Sequence, residues 1–557
     1  MSSGSLVPRV YGSFRGVDFR GEEINISRSP DSVNMYRDYK EIDSIRTRPD
    51  IELKVSFEDT VYGVFFYTAG EVEYMLVHSG TRLYRVQEKE KTLIYEGLNP
   101  ICSNAFVYNN LWYFKDGKNY LTFNGSKVAE VVGYVPTTSI GRAPAGGGKT
   151  NEDANILSDY RINTFIGDGA STKFHLDARE LDDEIPEVKV NGNIVEVSGF
   201  DPLNGVVTLK EVPAAEYGGS DNVSIKFKRT IDKSRILNCT LLEVFDNRVF
   251  FSGNKDYPNW LWHCSLNDPT YCADLDYYSE GLDTAEIKGM VSGNNALWVF
   301  KEPSQANTTI FYHTPTIDSE YGKIYPNTHS NISIGCVGKA INFNDDIVFF
   351  SERGLEGISG DITTEQVISH RSSLVDRKLL SEGSYKDMLL EEWDGYLVAC
   401  MDNKVYLADS RAMFSNENHY EYEWFYWEMS KRITSVKVHK GVLYIGTQDG
   451  VYTLTDTEGA VQSYWTTPKD KFGYPHYLKT TNKRGCTVEA KGDISLYVKT
   501  EKTEFEHIGD YTGITDYFVS RIKRKKFKDI QLKFSSASRF GLETATLECF
   551  VGGYIKR

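Results

Sequence analysis

Soft metal ligands are densest at His263, Cys264 and Cys272. Two thiolates and an imidazole can hold zinc when a fourth ligand completes the tetrahedron. No fourth ligand follows at a spacing zinc sites use, and Trp260, Trp262 and Tyr271 crowd the group, so a packed aromatic loop is the expected setting. Asp274 and Asp276 stand close by, but this loop lacks the further oxygen ligands calcium needs. The stretch GRAPAGGGKT (141–150) ends like a phosphate-cradling loop at Gly148-Lys149-Thr150, yet Ala143 occupies the place of its first glycine. No buried strand leads in and no amphipathic helix leads out, so no helix N-terminus would face a phosphate. A linker with Gly146, Gly147 and Gly148 as a flexible hinge is expected instead. No nucleophile elbow, His-x-x-x-His or identifiable carboxylate pair occurs. Nothing points to catalysis, and no cofactor or metal is expected.

One basic cluster stands out. Arg521, Lys523, Arg524, Lys525, Lys526 and Lys528 fall within eight residues of a chain whose net charge is −15. On a strand, Ile522, Arg524, Lys526 and Lys528 would share one face and Arg521, Lys523, Lys525 and Phe527 the other. Charge on both faces argues against a buried central strand. Two readings stay open: a contact with phosphates or an acidic neighbouring subunit, or a solvated edge strand whose lysines block aggregation.

The elements that must position such residues are strands. Tyr (36) and Phe (29) are abundant and Met is scarce (8), a composition that favours pleated sheets over helical bundles. At 557 residues the chain exceeds one compact core, so several domains are expected. The acidic balance excludes a global basic footprint for gripping nucleic acid. Eight cysteines without Cys-x-x-Cys spacing fit buried thiols in a reducing environment better than a disulfide scaffold. No apolar run is long enough for a membrane anchor. The opening MSSGSLVPRVYG lacks the apolar core of a signal peptide and is read as the native start.

A polar turn followed by an aromatic and β-branched run recurs at Asp246-Asn247, Asn294-Asn295, Asp345-Asp346, Asp394-Gly395 and Lys440-Gly441, in steps of 48, 51, 49 and 46 residues. Repeats of about 40–50 residues built from short strands are the mark of β-propeller blades. Asn109-Asn110 and Gly70-Glu71 extend the series backward, making seven candidate blades. With residues 10–60 able to add a closing strand, six to eight blades are expected. The gap from Asn109 to Asp246 is 137 residues, and removing 150–232 leaves 54, close to the period. The fold expected is therefore all-β: a propeller interrupted by a small β-sandwich and followed by a terminal β-domain. Residues 1–149 would hold an N-terminal segment and the first blades, 150–232 the insertion, 233–466 the remaining blades and 467–557 the terminal domain. Runs such as Thr447-Gln448-Asp449-Gly450 and Ser351-Glu352-Arg353-Gly354 read as blade turns rather than the repeated hairpins of sialidase-type propellers.

Phe14, Gly16, Val17 and Asp18, then Ser29, Pro30, Asp31 and Asn34, then Arg46, Arg48 and Pro49 form a run that resembles the opening of packaged-DNA stabilisation proteins of tailed bacteriophages. NTFIGDGASTKFHL with VKVNG resembles a β-module of phage structural proteins. SGNKDYPNWLWHC and its continuation resemble the middle blades of tail hub and nozzle proteins, and RIKRKKFKDIQLKFSSAS onward resembles their terminal domain. Together these stretches touch most of the chain. The resemblance implies a virion component, assembled in the host cytoplasm as a six-fold ring below the portal and adaptor proteins. Such a ring contacts tail fibres or other tail proteins, retains packaged double-stranded DNA and forms part of the ejection channel. The alternative is a receptor- or glycan-binding tail module, in which Trp424 and Trp427 would stack on sugars if exposed.

Overall fold

The computed structural model describes residues 5–21, 24–39, 45–304, 308–319, 322–330, 333–359, 367–416, 419–455, 461–523 and 525–554. Among the described residues, seven four-stranded antiparallel sheets form blades around one axis. Their innermost strands are Val61–Ala69, Asn104–Tyr108, Leu241–Phe245, Ile287–Gly293, Ala340–Phe343, Leu389–Trp393 and Ile433–His439. Each of these touches the next, and the seventh returns to touch the first. The chain is a closed seven-bladed β-propeller.

The recurring phrase is the turn from the first to the second strand of each blade. Tyr108 pairs with Leu111, Phe245 with Arg248, Gly293 with Ala296 and His439 with Val442, so each loop holds two residues. Both loop residues take positive φ, as at Asn294 (52°) and Asn295 (59°). That is the mirror-image turn whose twist matches a right-handed hairpin, and Asn, Asp and Gly pay least for it. In the fifth blade the turn is Asn344-Asp345, one residue earlier than the sequence phrase suggests. Asp346 instead begins the second strand, where its buried carboxylate receives Arg371 Nε at 2.8 Å and Tyr422 Oη at 2.7 Å.

Ring closure uses both parts of the chain. The outer strand of the seventh blade is Asp50–Ser56, antiparallel to Gly450–Thr455. The expected closing strand within residues 10–60 is therefore present, and it ties the N-terminal region to the last blade.

The insertion begins earlier than residue 150. Thr137–Arg142 and Lys149–Thr150 already belong to its six-stranded sheet, together with Tyr160–Phe165, Glu187–Val190, Asn193–Ile194 and Val223–Lys228. A second sheet, Lys173–His175, Val197–Asp201 and Val206–Leu209, packs against it over Phe165, Phe174, Val207, Ile225 and Phe227. The GRAPAGGGKT segment is thus a hairpin of this sandwich and not a hinge. Arg142 Nη1 donates to Gly147 O at 2.6 Å, and a Cβ at Gly148 would lie 2.5 Å from Arg142 Cγ.

The terminal domain is an eleven-stranded sheet drawn from both chain ends. Its long strands Tyr477–Thr500 and Phe540–Tyr554 are joined by Leu6–Gly12, Met35–Arg37 and Ile45–Thr47 from the N-terminal segment and by Ser463–Thr466 from before residue 467. Leu496, Val498, Phe534 and Leu547 share one core with Tyr396, Trp427, Ile433 and Leu443 of the sixth and seventh blades. Each such buried side chain contributes about 1.5–3 kcal/mol. The domain is therefore seated on the rim rather than free.

Candidate functional site

The N-terminal run that carries the phage resemblance is a joint. Gly16–Val17 pairs in parallel with Arg28–Ser29 and lies on the outer strand of the sixth blade, His419–Glu428. Gly16 has φ 149°, and a Cβ there would lie 2.3 Å from the Trp424 carbonyl oxygen, so the contact requires glycine. Phe14 meets Trp465 edge-on at 5.2 Å, and Ser29 Oγ donates to Thr466 O at 2.7 Å. Asn34, at φ 60°, uses its whole amide. Its Oδ1 accepts from Arg48 Nε at 2.9 Å and Glu428 N at 2.8 Å, while Nδ2 donates to Gln462 O at 2.8 Å. Arg48 is 4% exposed, and burial lowers its guanidinium to about 10. Arg28 Nε and Nη2 donate to Glu423 Oε2 and Oε1 at 2.8 Å each, with the guanidinium 4.3 Å above the Phe414 ring. These residues join blade six, the closing strand and the terminal domain into one body.

The basic cluster lies on the terminal domain. Arg521, Lys523, Lys526 and Lys528 are exposed, Lys525 is half-buried, and Arg524 lies outside the described residues. Only Lys526–Phe527 is strand, paired with Lys479 and Thr480. Ile522 and Phe527 are both buried although an unbroken strand would put them on opposite faces, so residues 521–523 and 525 run irregularly. Thr481 holds that irregular run: its N donates to Lys525 O at 3.1 Å, its Oγ1 donates to Lys523 O at 3.2 Å, and it accepts from Lys525 N at 3.0 Å. Lys525 Nζ reaches Glu506 Oε2 at 2.5 Å. Two further cations, Lys483 and Arg484, join the ridge, which the sequence reading missed. They precede Gly485 (φ 76°), where a Cβ would lie 1.9 Å from Ser520 O, so their bulge sits flush against the start of the cluster. A glycine after two cations was the available signal.

The other candidates separate. His263 and Cys264 are neighbours in sequence but face opposite sides. The His263 ring packs with Phe250, Tyr278 and Tyr325, and burial lowers it to about 4. Cys264 and Cys272 sit in a different core with Trp262 and Tyr120. Burial raises Asp276 to about 6. Among the described residues no group of three or more His, Cys, Asp and Glu is arranged to hold a metal. Trp424 and Trp427 are enclosed, their indoles donating to Arg371 O at 3.0 Å and Met35 O at 3.3 Å.

A cavity of about 230 Å³ lies where the inner strands of several blades converge, lined by Tyr62, Ser103, Lys339, Glu391, Ser435 and Lys437 among others. Lys437 Nζ pairs with Glu391 Oε1 across adjacent blades at 3.0 Å. No helix among the described residues is long and apolar enough to cross a membrane.

No protein-family model and no curated protein matches the chain. Among solved structures it is similar to BamB from Moraxella catarrhalis, at 10% identity over 72% of this chain and 97% of that one, TM-score 0.33. It is similar to Hsv2 from Kluyveromyces lactis, at 8% identity over 74% and 94%, TM-score 0.32. It is also similar to an exo-beta-1,3-galactanase from Phanerochaete chrysosporium, at 8% identity over 80% and 95%, TM-score 0.20. These likenesses are too distant to bear on function; the blade count rests on strand pairing.

Proposed function

We propose that this chain is an architectural subunit of a tailed-phage virion: a tail hub or nozzle ring below the portal and adaptor that retains packaged DNA and forms part of its ejection channel. The observation that carries this reading is the basic ridge, Arg521, Lys523, Lys525, Lys526 and Lys528 with Lys483 and Arg484, on a rim-seated domain of a chain of net charge −15. Concentrated charge of one sign on a body of the other steers and orients docking to an acidic neighbour. The reading has a second element. A DNA passage would be the lumen of a ring of copies, not the hole of one disc, and an acidic lumen avoids the counterion-release grip that basic proteins have on DNA. The N-terminal joint supports a third, since it makes disc and terminal domain one rigid block for lateral packing.

Electron microscopy of the protein alone and with portal–adaptor complexes tests this. Rings that join the complex are expected, and Lys523→Gln, Lys525→Gln and Lys526→Gln together should weaken assembly at low salt, the difference from the parent shrinking as salt screens the contact. Monomers that never join would overturn the ring role. Assembly unchanged by the triple substitution at every salt concentration would leave the ridge as an edge guard.

A further inference from the structure

Two of the buried thiols stand apart from the rest. Cys264 and Cys272 are both fully buried, and their sulfurs lie 2.8 Å apart. Packed non-bonded atoms ordinarily sit about 3.5–4.0 Å apart, so this contact is closer than packing two small apolar side chains requires. The backbone draws their loop together: Ser265 N donates to Tyr271 O at 2.7 Å.

The same loop is the seat of the inserted domain. Asn155, 1% exposed, spends its whole amide there. Its Nδ2 donates to Tyr134 O and Thr270 O at 2.8 Å each, and its Oδ1 accepts from Cys272 N and Leu157 N at 3.0 Å each. Ile156 N donates to Cys272 O at 2.8 Å, Asp274 N to Ala154 O at 2.9 Å and Tyr271 Oη to Asp153 O at 2.9 Å. The Cys272 backbone thus both gives and receives a hydrogen bond from the segment that carries the sandwich.

We propose that Cys264 and Cys272 form a modification site, closing into a disulfide that clamps the joint between the inserted domain and the disc. The inference stands independently of the assembly role. The chemistry is thiol–disulfide exchange with a small-molecule disulfide. One cysteine sulfur attacks it and releases one small thiol. The second attacks the mixed disulfide and releases the other, and the two cysteine protons end on the two released thiols. Thiolate is the attacking form, and burial disfavours it, so exchange in the folded chain waits for the loop to open. Leu266 and Asn267 at its tip are exposed, which gives the reagent its entry. Once closed, the link shortens the fluctuations of a small loop and slows release of the segment docked on it.

The test uses the full chain, refolded or held with oxidised glutathione, then denatured and treated with iodoacetamide. Both cysteines lie in the tryptic peptide Asp256–Lys288, and cleavage at Asp268 separates them. The expected result is a peptide lighter by two hydrogens whose halves remain joined after that second cleavage. Protease nicking of residues 151–158 should be on the order of tenfold slower than in reduced protein, and Cys264→Ala should abolish the difference. Recovery of both cysteines alkylated after either treatment overturns the site. A cross-link without slower nicking, or equal protection in Cys264→Ala, overturns the clamp.

Discussion

Arg28 and Glu423 carry the sharpest prediction about the joint. The pair is buried, 8% and 1% exposed, bidentate at 2.8 Å, and its arginine plane rests on Phe414. Arg28→Met keeps an unbranched apolar stem over Phe414 but strands the Glu423 carboxylate away from water. Breaking a buried pair from one side costs about 3–5 kcal/mol, whereas replacing both partners by apolar groups is often neutral. Because every 1.4 kcal/mol is tenfold, the single variant should open the N-terminal segment about a hundred- to a few thousandfold more often. The double variant Arg28→Met with Glu423→Leu should return to within about tenfold of the parent. Amide hydrogen exchange over residues 14–37 reads this local opening directly, without assuming that a multidomain chain unfolds in one step. A double variant as open as the single would show that lost packing, not an orphaned charge, loosens the segment. A single variant indistinguishable from the parent would refute the pair as part of the joint.

Three further outcomes follow from other parts of the molecule. Burial alone would lower His370, but hydrogen bonds to Asp376 and Glu356 outweigh it and raise the ring to about 10. Its contribution to the fifth blade is therefore full below the free-histidine value near 6.5 and fades as pH rises through about 10; exchange protection along Gly354–Ser359, taken relative to the intrinsic rate at each pH, should fall over that window in the parent and stay flat in His370→Gln. Gly16→Ala should cost about 1–3 kcal/mol, because its methyl meets the Trp424 carbonyl and its φ suits glycine; unchanged exchange at residues 14–18 would contradict that contact. Asn155→Ala takes away the side-chain partner of the Cys272 and Leu157 N–H groups and of the Tyr134 carbonyl, at about 1–3 kcal/mol each; limited proteolysis should then release residues 137–230 while the disc stays intact, and equal resistance would deny Asn155 its role.

The blades were legible because a two-residue hairpin with positive φ at both positions admits few residue types. Asn294-Asn295 and Lys440-Gly441 therefore mark their turns without any knowledge of neighbours. The shift to Asn344-Asp345 shows the limit, since three adjacent polar residues all suit a turn, and only the pairing of Phe343 with Asp346 selects two. The early start of the insertion escaped because Thr137–Arg142 pairs in parallel with Tyr160–Phe165 across an intervening hairpin, a contact with no local periodicity. In the basic ridge, the alternation of Ile522 and Phe527 was broken by Thr481, which lies 42 and 44 residues before the Lys523 and Lys525 backbone groups it bonds.

By itself the sequence determined the repeating hairpins and the fact of an interruption, because turn chemistry and strand patterning act over a few residues, while it left the number of blades between six and eight. Only the tertiary structure decided what closes the ring, where the terminal domain sits and what surrounds each candidate. Asp50–Ser56 reaches Gly450–Thr455, Leu6–Gly12 reaches Phe540–Tyr554, and His263 turns its ring away from Cys264 and Cys272. Those outcomes depend on burying large apolar surfaces between segments hundreds of residues apart. That driving force is non-directional, and no short stretch of chain records its partner.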